Sequence, residues 1–114
     1  LDFENKDINN LELYLTTLEF IGFSIPEDLW EITSQKINDE RKVPSIYIMK
    51  LLEKSANNNS IGELFLCIAV SIEENSWLEI HPQHLNIIFD NLKKVRKEEI
   101  INQITLEILE DMSS

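Results

Sequence analysis

Apolar positions recur along most of this chain at the three- and four-residue intervals of an α-helix, and the gaps between the periodic segments hold residues that start or stop helices. Residues 1–9 are polar and charged, which predicts a loose lead-in. Asn10 is then the expected N-cap of a helix with Leu11, Tyr14, Leu15, Leu18 and Ile21 on one face, and Gly22 suits its end. In "SIPEDLW", Ser24 and Glu27 have capping-box spacing, Pro26 falls in the first turn, and Glu27 and Asp28 put negative charge at the positive end of the helix dipole. Leu29, Trp30, Thr33 and Ile37 supply the face of this second helix, so 10–37 is expected to be a helical hairpin with a short turn.

The polar stretch "NDERKVP", residues 38–44, predicts a loop closed by Pro44. A third helix follows, with Ile48, Leu51, Leu52 and Ser55 on one side, and "SANNNS" breaks it. Ser60 and Glu63 repeat the capping-box spacing and start a fourth helix, apolar nearly all round from Leu64 to Val70, which predicts a buried element at the centre of the domain. In "EIHPQHLNIIF", Pro82 fits the first helical position, which makes His81 the N-cap and places His84 in an exposed first turn. Leu85, Ile88, Phe89, Leu92 and Val95 give this fifth helix its face. "KKVRKEE" joins it to a sixth with Ile101, Ile104 and Ile108, the bases ending one helix and the acids opening the next.

The expected fold is therefore all-α: about six helices in three successive antiparallel hairpins, over residues 10–37, 44–75 and 81–112, forming a compact bundle or a short α-solenoid. Pro44 and Pro82 each open a hairpin of similar layout, about 38 residues apart. Over residues 44–112 this layout resembles the helical-hairpin repeats of the tetratricopeptide and HEAT kind, though the fourth helix carries Phe65, Cys67 and Ile68, with Ala69 its one Ala, where tetratricopeptide repeats place small residues. The resemblance implies a grooved helical surface that holds a protein partner.

Composition narrows the picture. A chain of 114 residues fits one domain, and two Gly and three Pro leave little material for the turns of an all-β fold. The formal charge of -11 repels phosphate backbones and anionic membrane surfaces, so direct nucleic-acid binding is not expected. The longest apolar run, "LFLCIAV", is too short for a membrane span. Cys67 is the only cysteine, so no internal disulfide can form, which favours a cytoplasmic setting. A first residue that is Leu rather than Met leads us to expect a domain of a larger or processed chain.

Candidate chemistry is sparse. His81 and His84 lie three residues apart, as two zinc ligands on a helix can, with Glu79 nearby as a third. Two or three such residues without a second cluster are better explained by a helix start, and no metal is expected. Lys93, Lys94, Arg96 and Lys97 form the one basic cluster, which a helix end explains. Glu27, Asp28, Glu63, Glu98 and Glu99 all fall in first helical turns, while Glu73 and Glu74 have no such reason. Cys67, inside an apolar run, is expected to act as a small hydrophobe. No nucleophile elbow, phosphate-binding glycine loop or dinucleotide fingerprint is present, so neither an enzyme nor a cofactor is expected.

What remains is a non-catalytic protein-interaction or assembly module, with an acidic inhibitor or immunity-type protein that neutralises a basic partner as the alternative. Tyr47, Trp77, Ile87 and Ile100 are the candidate partner contacts, Trp77 because an aromatic in a polar loop either anchors a partner or lids the core. The sixth helix, apolar at 100, 101, 104, 106, 108 and 109, has more apolar surface than one packing face uses, and the surplus can be covered inside the domain, by self-association with a second copy or by a segment of a longer parent chain.

Overall fold

A computed structural model describes residues 5–34, 41, 43–73 and 75–113. Its order is α1 (Asn5–Phe20), α2 (Glu27–Thr33), α3 (Ile46–Asn57), α4 (Ile61–Ile72), a single 3-10 turn (Trp77–Glu79), α5 (Pro82–Lys94) and α6 (Glu98–Ser113). The fold is all-α, and the described residues contain no strand. Ile37, Glu74 and most of the 38–44 loop lie outside the described residues.

The first helix begins at Asn5, so Asn10 sits within it and does not cap it. The cause is tertiary: Ile8, inside the expected lead-in, is buried, and the helix extends to carry it there. The buried side is broader than the expected one: Leu15 of the expected face is buried, Leu13 and Phe20 join the main core, and Ile21 is exposed. Thr16 and Thr17 accompany Leu13 inward, and the Thr17 hydroxyl donates to the Leu13 carbonyl at 2.9 Å, so its polar atom arrives already satisfied. Gly22, at φ +110°, ends α1: its N–H donates to the Glu19 carbonyl and that of Phe23 to the Leu18 carbonyl. That is a Schellman closure, which needs a left-handed residue where Gly stands.

Neither expected capping box forms. Pro26 is itself the N-cap of α2 and Ser24 is exposed, because a residue before proline is held extended and the helix cannot begin ahead of it. Ser60 is the N-cap of α4 but makes no side-chain cap bond. Its N–H is occupied in closing α3, donating to the Ser55 carbonyl at 2.8 Å behind Asn59 at φ +54°. A reciprocal pair appears instead at the 3-10 turn, where the Ser76 N–H donates to Glu79 Oε1 at 2.9 Å. The fifth helix starts as its sequence predicts, with Pro82 in the first turn and His81 Nδ1 accepting from the Gln83 N–H at 3.1 Å.

Each helix packs on its chain neighbour as α1 with α2, α3 with α4 and α5 with α6. The hairpins then meet on α5, which touches α1, α3 and α6. Leu85, Ile88, Phe89 and Leu92 of α5 are completely buried, and the Phe20 and Phe89 rings meet at 5.1 Å between centroids. The expected centre, α4, lies at the periphery: it packs chiefly on α3, and its buried residues are Leu64 and Ile68. Apolar character on all sides shows that a helix can be surrounded, but neighbours must be available to surround it, and here α5 has taken them.

Candidate interaction site

Each histidine has one ring nitrogen engaged within the fold. His81 uses Nδ1 as the cap acceptor of α5. His84, expected in an exposed turn, is only 3 % exposed because the last turn of α4 lies against it, with Nε2 2.9 Å from Ser71 Oγ. The Ser71 hydroxyl donates to the Ile68 carbonyl at 2.7 Å, so its single proton is used and His84 Nε2–H must be the donor. Burial, and secondarily the nearby His81, push the His84 pKa below its ordinary value. Glu79 is occupied at Ser76, whose backbone and hydroxyl hold its pKa down. No three His, Cys, Asp or Glu side chains gather as a metal would require among the described residues.

This histidine lies on one wall of an open cleft of about 980 Å³ between the start of α1, the segment before α3 and the junction of α4 with α5. Arg41, buried there, is paired with Glu12. Glu73 holds the left-handed region at φ +58° on the rim. With the Ser71 proton committed to a backbone carbonyl, the arrangement supplies hydrogen-bonding polarity and no activated nucleophile.

The four candidate contacts separate. Tyr47 is 70 % exposed, and its neighbour Ile46, 67 % exposed, lines a groove between α3 and α5 together with half-buried Ile87. Trp77 lies elsewhere: it packs against the core, and its indole N–H donates to Glu107 Oε2 on α6 at 2.8 Å, which makes it a lid between the 3-10 turn and α6. Ile100 is also partly buried against the core. In the basic cluster, Lys93 stands 5.8 Å above the Phe20 ring and Lys97 is 3.7 Å from Glu99, so part of it is engaged within the domain.

The residues that sequence reasoning missed are on α4. Phe65, Leu66 and Val70 are 40 %, 66 % and 52 % exposed, and Ala69 is exposed beside them. The run "LFLCIAV" announced this surface, but the same pattern also describes a buried helix. Cys67 is half-buried, 4.0 Å from Ser55 Oγ. On α6, Leu106 alone of the surplus apolar residues is strongly exposed. No helix among the described residues is long and apolar enough to cross a membrane. No protein-family model matches the chain, and neither a curated protein nor a solved structure matches it.

Proposed function

We propose that this domain is a non-catalytic interaction module that receives another protein on the outward face of α4. The observation that carries this reading is the exposure of Phe65, Leu66 and Val70 on one helix, with Ala69 between them. An apolar face of this kind gains by being covered, by about 1.5–3 kcal/mol for each large side chain fully buried. The chain from Ile61 to Glu73 carries Glu63 and Glu73 and no base, within a chain of formal charge -11. A basic protein with an apolar docking face therefore complements it.

The test is capture by the immobilised domain, compared between wild type and Leu66→Asp across a salt series. The reading expects a captured protein that is lost with Leu66→Asp while circular dichroism reports unchanged helicity. Capture indifferent to Leu66→Asp would sink it. Capture abolished by salt alone and indifferent to Leu66 would favour the alternative, an acidic inhibitor that acts through charge.

A further inference from the structure

The groove between α3 and α5 is a second surface, of about 350 Å³, with a different character. Met49 and Ile87 are half-buried in it and Ile46 lines it exposed, with exposed Tyr47 next to Ile46 in the chain. Lys50 and Glu53 of α3 and Asp90 and Lys94 of α5 complete the walls. Two bases and two acids sum to zero, in a chain whose formal charge is -11. Asn91 also lines the groove but is itself buried, its Nδ2 donating to the Ile87 carbonyl at 2.8 Å.

We propose that two copies of this chain pair through this groove about a two-fold axis, α3 against α3, with Ile46 and Tyr47 of each copy entering the groove of the other. Charge selects the occupant. Two molecules of the same strong net charge repel, and a surface with balanced signs is where they can approach most closely. A two-fold interface is self-complementary, so each base needs an acid on the same patch to meet in the other copy. The groove meets that condition: Lys50 and Lys94 face the partner's Glu53 and the partner's Asp90. The α4 face does not, because a second copy would bring only more acid.

Light scattering on the full chain, from low micromolar to near-millimolar protein, decides the matter. The expected result is twice the chain mass at the upper end, with Ile46→Asp monomeric throughout and unchanged in helicity. Lys50→Glu weakens the dimer, and the swap Lys50→Glu with Glu53→Lys restores it, because exchanging the signs preserves complementarity across a two-fold axis. Leu66→Asp leaves it intact, which separates this interface from the α4 site. A wild-type chain monomeric at every concentration overturns the proposal, as does a dimer that survives Ile46→Asp or is lost with Leu66→Asp.

Discussion

His84 and Ser71 join two helices by a single hydrogen bond whose direction is fixed: the ring donates from Nε2 at 2.9 Å because the hydroxyl has already given its proton to Ile68. The bond holds the last turn of α4 against the first turn of α5. Enclosure of the ring by protein, rather than the bond, is what favours a neutral imidazole, because a protonated ring would still donate from Nε2.

That enclosure gives a pH dependence. The folded-state pKa of His84 is lowered, first by burial and then by His81, whereas the unfolded chain titrates near the ordinary histidine value of about 6.5. Below that value the unfolded state binds the extra proton first, so stability is complete above it and falls as the pH drops toward the lowered folded value. Urea midpoints at a series of pH values from above neutrality to below 6 should decline for the wild type. His84→Gln should flatten that decline, and an equal decline in both proteins would refute the assignment.

The position of α5 at the meeting point of the hairpins predicts an asymmetry among large-to-small substitutions. Phe89→Ala, which empties a fully buried site, should cost about 3–5 kcal/mol. Leu66→Ala, on the open face of α4, should stay within about 0.5 kcal/mol. Denaturant unfolding of the two variants measures both, and similar losses would return α4 to the interior.

Arg96 occupies the left-handed position behind α5 at φ +58°, where its N–H donates to the Lys93 carbonyl and that of Lys97 to the Leu92 carbonyl. A side chain is strained there and glycine is not, so Arg96→Gly should stabilise by about 0.5–1 kcal/mol despite the greater freedom of glycine in the unfolded chain. A lower thermal midpoint for the variant would contradict this closure.

Trp77 can be followed by its own fluorescence once Trp30 is replaced by Phe. Glu107→Ala removes the acceptor of the indole N–H and should red-shift the emission and raise acrylamide quenching, while costing less than about 1 kcal/mol because the bond is exposed. An unchanged spectrum would mean that the lid does not depend on α6.

Where the sequence was clear, the signal was local and rigid. His81 followed by Pro82 marks the start of α5 because proline fixes one dihedral angle and the histidine caps the next turn, whatever the surroundings. Gly22 marks the end of α1 for a similar reason. The signals that misled were those in which packing decides. Ile8 draws helix into a polar lead-in, Thr17 turns inward by bonding its own backbone, and α4 has the composition of a central helix without the neighbours. The candidate contacts follow the same division. Exposed Tyr47 begins a helix whose cap, Ser45, accepts from the Ile48 N–H, whereas burial of His84 depends on how α4 crosses α5, which no spacing along the chain records.

The central place of α5 also orders events during synthesis. Leu13 and Phe20 of α1, and Leu52 of α3, belong to a core whose middle is supplied by residues 85–92, far downstream of them. As the chain leaves the ribosome, the first two hairpins emerge with their inward faces uncovered and gain their shared partner only when α5 follows. Until then the nascent protein exposes two apolar helical faces at once, which makes the interval before α5 appears its period of greatest dependence on chaperones.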